Sequence, residues 1–338
     1  MTAPAIPAQK PSWFRDINPA PIVVLVLILA LALVGSHLSD RFGTLRNFSN
    51  LFGQMTFLAI IALGQTFVIL TRGIDLSIGS TIAICAVFTS GFINNDPDLV
   101  LPITAAMLVF GVVIGMANAT LAHLLRVHPL IITLGMAVVL RGVMLLYTEG
   151  TAGGTPDEYG YFAQGRFAYS EEDGVTLELW SRYGLSLGGC VFVLMYALAW
   201  VFLNRTRPGR NIYAVGGDPE AARLSGISVW RTWLVAYGFC GFCSALAAVY
   251  LVSQQGVGSP DLAIKGYELD SITPVVVGGT MLLGGVGGVV GTLVGVVLLS
   301  MLNNLLNFMD VSTFYQWIVQ GVIIILAVSV FLERRGRP

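Results

Sequence analysis

The chain has 338 residues, of which 55% are hydrophobic and 11% charged, with a mean hydropathy of +0.79. A soluble domain carries about 25% charged residues, so this chain could not cover a folded surface in water, and an ordinary soluble enzyme is excluded. Its net charge of −1 gives no global attraction to nucleic acid or any other polyanion.

The proline-rich residues 1–20 read as a cytoplasmic tail. Lys10 and Arg15 precede an apolar run from Ile22 to Val34, as in a signal peptide, but the many later spans favour an uncleaved first helix. A transmembrane helix needs about twenty mainly apolar residues. Such runs predict spans at 22–38, 54–71, 77–93, 99–122, 129–147, 184–203, 231–254, 271–285, 287–307 and 314–332. The fold class is thus an all-α integral membrane protein with about ten transmembrane helices in a single domain over 21–333. The eighth span is short and glycine-rich, and reads as broken or re-entrant. Ten spans put both termini on one side. That side collects Lys10, Arg15, Arg72, Arg126, Arg205, Arg207, Arg210, Arg223, Arg231 and the basic tail 334–338. The other holds Arg41, Arg46, Arg166, Arg182 and Lys265, so the positive-inside rule places both termini in the cytoplasm.

Where the second span turns into the third, Arg72, Gly73, Asp75 and Ser77 form a tight turn. Asp75 is placed to cap the new helix at its positive dipole end, and Arg72 to pair with Asp75. In the fifth span Arg141 lies roughly 18 Å along the helix, in the outer half. A charge there is costly, so it is expected to snorkel outward or to pair with Glu149. Residues 148–183 form an external excursion whose acids Glu171, Glu172 and Asp173 offer a docking surface to a partner outside.

Residues 204–230 form a basic cytoplasmic loop. In it Gly216 and Gly217 break the chain, Asp218 and Pro219 read as N-cap and first helical residue, and Glu220, Ala221, Ala222 and Arg223 begin a short helix that Gly226 ends. Such a helix suits a groove on another protein, or is simply a solvated connector. Cys240 and Cys243 have a C-x-x-C spacing, but they lie in an apolar helix without a second ligand pair and read as packing residues. Gly111 with Gly115, Gly284 with Gly288, and Gly287, Gly291 and Gly295 repeat every four residues, giving flat faces for close helix contact. Gln65, Asn118, Asn303, Asn304, Asn307, Gln316 and Gln320 are amide side chains within the predicted spans. Amides offer both donor and acceptor to a neutral polyol, so Gln65, Asn118, Asn303, Asn307, Gln316 and Gln320 are candidate pathway residues, although each serves equally as an interhelical hydrogen bond. No metal site or cofactor is expected.

The loop 213–227 resembles the coupling segment of ribose-type permeases, the membrane subunits of ATP-binding-cassette importers for monosaccharides. Other stretches match in the same order: Gly73-Ile74-Asp75-Leu76-Ser77-Ile78-Gly79-Ser80, Thr133-Leu134-Gly135 through Arg141-Gly142, and Glu268-Leu269-Asp270 leading into Gly278-Gly279-Thr280 and Gly284-Gly285. The likeness runs from about residue 45 to 330. Pro208 stands where an aromatic is usual and Asp218 where asparagine is usual, and both suit a turn and an N-cap. Branched-chain amino-acid permeases share the fold but usually lack the Gly-Gly-x-x-Glu-Ala-Ala pattern, which favours a sugar.

The resemblance implies a permease in a bacterial inner membrane that translocates a monosaccharide or related polyol. Its implied partners are cytoplasmic ATPase subunits, an external or periplasmic sugar-binding protein, and a second permease subunit, identical or not, amid membrane lipid. It also implies that residues 216–226 carry motion between permease and ATPase. Other solutes, such as a nucleoside or an amino acid, stay open. An ion-coupled secondary transporter usually holds ionisable groups at mid-membrane. Here Arg141 is the one clear charge in the spans, and no acid is read beside it. A membrane enzyme would need a nucleophile–base pair or a metal cluster, and neither is found.

Overall fold

Runs of leucine, isoleucine, valine and alanine satisfy their own backbone groups in a bilayer only as helices, and helices dominate. The computed structural model describes residues 20–170, 174–179 and 185–333. Its helices are α1 (Ala20–Leu38), α2 (Leu45–Leu70), α3 (Ile78–Ile93), α4 (Val100–Leu125), α5 (Pro129–Tyr147), a one-turn α6 (Tyr161–Gln164), α7 (Leu187–Arg205), α8 (Arg207–Gly217), α9 (Pro219–Leu224), α10 (Val229–Gln255), α11 (Tyr267–Val277), α12 (Val289–Phe308) and α13 (Thr313–Glu333). Among the described residues, six are long and apolar enough to cross a membrane: α2, α4 with the 3-10 turn before it, α5, α7, α10 and α12. Val24–Leu38 of α1 and all of α3 are shorter apolar helices.

The core is built around α2 and α10. In each, 78% of the apolar window is buried, against 22% in α4 and α5, so the latter two present their leucines and valines outward. Glycine sets how closely these helices cross. A Cβ on Gly111 would lie 2.4 Å from the Gly241 carbonyl oxygen, and one on Gly115 2.0 Å from that of Tyr237, so α4 and α10 meet backbone to backbone. On the opposite flank of α10, a Cβ on Gly64 of α2 would lie 2.8 Å from the Cys243 Cβ. Cys240 and Cys243 are free, fully buried thiols at this seam.

Two segments interrupt the helical pattern. Between α2 and α3 the chain runs without helix through 71–77. Between α10 and α11 it runs through 256–266, with one 3-10 turn at Pro260–Ile264. The second break lies within the bundle: a Cβ on Gly258 would sit 2.3 Å from the Ala86 carbonyl, and Arg141 Nη2 donates to the Ala263 carbonyl at 2.6 Å. The eighth predicted span, 271–285, is therefore not one helix. α11 begins four residues earlier and ends at Val277, and residues 278–288 form a loop. Gly279, Gly284 and Gly285 there have φ of 92°, 75° and 73°, a region a helix cannot use. The predicted glycine face is also redistributed. Gly284, Gly287 and Gly288 lie in that loop, while Gly291 and Gly295 let α12 close on the carbonyls of Gly278 and Pro274, 2.2 and 2.1 Å from the added Cβ.

The excursion 148–183 departs from the all-α expectation. Gly165–Ser170 (β1), Gly174–Leu179 (β2) and Leu185–Ser186 (β3) form an antiparallel sheet in the order β2-β1-β3. Reading for helical spans passed over their alternating β-branched and aromatic residues. This segment docks on the end of α10 through Gln164 Nε2 to the Gln254 carbonyl (2.9 Å) and Ala163 N to Ser253 Oγ (2.9 Å). Glu171, Glu172 and Asp173 lie outside the described residues.

Candidate functional site

At the end of the bundle opposite the sheet, α8 and α9 form a bent pair. Thr206 caps α8 through Gly209 N (3.2 Å), and Asp218 caps α9 by accepting from Glu220 N (2.9 Å) and Ala221 N (3.1 Å). Pro219 is the first residue of α9, and Gly226, at φ 82°, ends the turn after it. The break falls at Asp218 alone, because Gly216 and Gly217 complete α8. Hydrogen bonds from the Ala221 and Glu220 amides hold the Asp218 carboxyl below its ordinary 3.8. Glu220 is paired with Arg223 at 2.6 Å, and that hydrogen bond and charge lower it from its ordinary 4.5.

Gly216 is glycine for a tertiary reason. A Cβ there would sit 1.8 Å from the Leu70 carbonyl oxygen and 2.5 Å from the Gly285 amide. Gly285 N donates to that same Leu70 carbonyl at 3.0 Å, and Tyr213 Oη to the Gly287 carbonyl at 3.1 Å. The last residues of α2, the last of α8 and the loop before α12 thus meet through backbone atoms. Arg72 closes the junction. Its Nε donates to the Gly216 carbonyl at 2.7 Å and its Nη2 to the Gly217 carbonyl. These carbonyls end α8, where the helix dipole favours a cation. Arg72 itself has φ 65° at the position past α2 that glycine usually fills. Such a conformation costs about 1–3 kcal/mol in a residue with a side chain, and the guanidinium contacts offset it.

Arg72 is therefore not the partner of Asp75. Asp75 is 2% exposed, and its Oδ1 accepts from Ser77 N (2.8 Å) and Ser77 Oγ (2.6 Å), a turn one step before the helix in place of the predicted cap on α3. Asn118 Nδ2 donates to Ser77 Oγ at 2.9 Å. Thr133 of α5 donates to the Ile74 carbonyl (3.2 Å) and accepts from Leu76 N (3.1 Å). Gly73 is glycine because a Cβ would lie 2.2 Å from Tyr237 Oη. Gln65 is fully buried in α2, with its Oε1 4.0 Å from Cys240 Sγ.

The second break carries charge as well. Arg141 does not reach outward to Glu149. It donates to Ser80 Oγ (3.3 Å) and the Ala263 carbonyl, joining α5 to α3 and to the non-helical segment. Glu268 packs against the first turn of α3, since a Cβ on Gly79 would lie 2.5 Å from its Oε2. Asp270 faces Gln320 of α13 within hydrogen-bonding reach. Acids thus do lie inside the bundle, Glu268 against Gly79 beside Arg141's partner Ser80 and Asp270 against Gln320, against the sequence expectation. They escaped it because the span was drawn from 271 rather than 267.

The candidate pathway amides do not converge on one place. Gln65 and Asn118 are enclosed near Asp75, Asn303 is half-buried on α12, and Asn307 bonds to Gln316 at 2.8 Å. Asn304 is 5% exposed and exchanges hydrogen bonds with Asn47 at 3.1 Å. Gln320 opens on a cleft with Lys265, Asp270, Thr273 and Trp317. No cluster of His, Cys, Asp or Glu able to hold a metal occurs among the described residues.

Residues 47–328 match the family model described as branched-chain amino acid transport system / permease component. The chain is 39% identical over 311 residues to the ribose import permease protein of Escherichia coli, covering 90% of this chain and 92% of that protein. It is equally identical, 39% over 311 residues, to the ribose import permease protein of Bacillus subtilis, covering 91% of each chain. Against the galactose/methyl galactoside import permease protein of Escherichia coli it is 32% identical over 336 residues, covering 95% of this chain and 96% of the other. No solved structure matches significantly.

Proposed function

The chain belongs to the family of branched-chain amino acid transport system permease components, and from that premise we propose that it is the membrane permease of an ATP-binding-cassette importer for a monosaccharide. It is a transport protein rather than an enzyme and carries no nucleotide-binding motif of the Gly-Lys-Ser/Thr kind. The power stroke comes from separate ATPase subunits on the face bearing α8 and α9. An external binding protein delivers the sugar to the face bearing the sheet, and a second permease subunit completes the conduit. In this reading the chain makes ten crossings of a bacterial inner membrane with both termini in the cytoplasm. The crossings at 71–93 and 256–277 each combine an irregular half with a short helix. Relatives named for ribose and for galactose support a sugar over an amino acid.

One observation carries the proposal: α8 and α9 are fastened by backbone contacts to the ends of both discontinuous crossings. A push on α9 reaches α3 through Arg72, and reaches α11 and α12 through Gly285 and Gly287. Interfaces built this way switch between discrete arrangements rather than deforming smoothly.

Glu268 and Asp270 in the second discontinuous crossing remove the sequence argument against ion coupling, so the energy source is the point to test. Uptake in sealed vesicles should follow ATP and ignore an imposed proton gradient. Glu220→Lys, which sets a like charge beside Arg223 on the exposed face of α9, should abolish ATP-driven uptake while the protein stays folded and inserted. Undiminished uptake in that variant would remove the coupling role from this segment.

A further inference from the structure

We propose that the cleft between α11 and α13 holds the monosaccharide in transit, at a station formed by Asp270, Gln320, Lys265, Thr273 and Trp317; this inference rests on the sugar-permease reading above. The cleft has a volume of about 270 Å³, just under the roughly 300–1,000 Å³ of sites for drug-sized ligands, which suits a single sugar ring.

Its depth follows from α11. That helix spans 11 residues, about 16 Å, and ends where residues 278–288 meet α2 and α8. Its first turn, with Asp270, is therefore near the middle of the bundle. Tyr267 packs there on Phe57 of α2, ring centroids 4.7 Å apart.

Two opposite charges line this cleft without pairing. Among the described residues the ion pair within 4 Å is Arg223–Glu220, and Lys265 and Asp270 form none. Charge inside a membrane protein is costly unless matched, and a polyol matches both signs at once. A carboxylate accepts from two hydroxyls, an ammonium donates to ring or hydroxyl oxygens, and the Gln320 amide does both. Trp317, 51% exposed, offers a flat apolar face to the C–H side of a sugar ring. Thr273 is fully buried behind this wall, and its Oγ1 donates to the Leu269 carbonyl at 2.8 Å, which holds the first turns of α11 in shape beneath the cleft.

The cleft also answers to the coupling segment. One wall is α11, whose far end is tied to α8 through Gly285 and Gly287. Its floor at Ile264–Gly266 adjoins Ala263, which Arg141 holds. A half-open station with few contacts binds weakly enough to release its cargo, as conduction requires.

The test reconstitutes the permease with its ATPase and binding protein in proteoliposomes and measures ATP-driven uptake of ribose, galactose and allose. Asp270→Asn and Trp317→Leu should each lower uptake at least tenfold, with Trp317→Phe restoring most of it. Gln320→Leu should change the ratio of uptake among the sugars, which a general folding defect would not do. In a Cys190→Ser background, Leu269→Cys places a thiol on the rim, and the imported sugar should slow its maleimide modification severalfold. Wild-type failure to import any of the three sugars would overturn the sugar reading itself. Import by the wild type with unchanged uptake in both Asp270→Asn and Trp317→Leu, or no sugar protection at position 269, would overturn the cleft and leave that reading standing.

Discussion

The two discontinuous crossings differ in how they treat their polar groups. In the first, 71–93, the polar groups of the turn find protein partners. Asp75 is answered by Ser77, Ser77 by Asn118, and the chain at Ile74 and Leu76 by Thr133. In the second, 256–277, Lys265 and Asp270 stay unpaired with each other and border open space. Both are anchored at the same end, against Gly216 and the last carbonyls of α8. One crossing is closed scaffold and the other is open to a ligand, while a single lever grips both. The first network is enclosed by protein on every side, although Asn118 Oδ1 and Tyr237 Oη within it lack a hydrogen-bond partner, and enclosure of that kind leaves no room for cargo.

The largest expected effect breaks the shared anchor. Gly216→Leu drives a side chain into the Leu70 carbonyl and the Gly285 amide, contacts that only backbone movement can relieve. Uptake should fall to background, with a stability loss of about 1–3 kcal/mol or more. The neighbouring Gly217→Ala meets nothing within 4 Å, and its stability should stay within about 0.5 kcal/mol of wild type. Equal behaviour of the two variants in uptake and in thermal unfolding would mean the junction bears no load.

A smaller effect separates the crossings. Asp75→Ala strips the acceptor from a buried amide and a buried hydroxyl, which costs about 1–3 kcal/mol. Asp75→Asn keeps a carbonyl oxygen there and should lose less. Asp270→Ala removes a carboxylate at the edge of the cleft whose side-chain neighbour is the Gln320 amide, and its unfolding midpoint in detergent should move less than that of Asp75→Ala. If Asp270→Ala destabilised the protein as much as Asp75→Ala, the distinction between scaffold and station would be lost.

Which of these features could be read beforehand depended on the range of the interaction that makes them. The cap of α9 was legible because Asp218, Pro219 and Gly226 act on amides within a few residues. The fastening of Arg72 to Gly216 and Gly217 was not, because a backbone carbonyl arriving from 144 residues away leaves no mark in the sequence. The same holds for Arg141, whose partners are a serine hydroxyl and a carbonyl rather than the acid that charge alone suggested. Hydropathy located the helices near Val100–Leu125, Pro129–Tyr147 and Val229–Gln255, where apolar runs are long. It misplaced the eighth span because glycines at 278–288 are apolar by scale yet serve as a loop. Glu268 and Asp270, which belong to the first turn of α11, fell outside the span because an apolar run stops at charged residues.

The smallest effect sharpens the comparison by removing one source of pH dependence. Asp218 and Glu220 both have carboxyls held below their ordinary values of 3.8 and 4.5, the first by the Ala221 and Glu220 amides and the second by Arg223. A carboxyl depressed in the folded state adds stability that is present above its unfolded value and is lost only as pH falls through the folded one. Between pH 8 and 5.5 both groups therefore stay ionised, and the coupling helix contributes no slope. ATP-driven uptake, measured with the binding protein already loaded, should be flat across that range as far as α9 is concerned. A slope that vanished in Asp270→Asn would then belong to the open crossing. One that vanished in Glu220→Gln would contradict the geometry of α9, because its bond to Arg223 leaves no group there to titrate in that window.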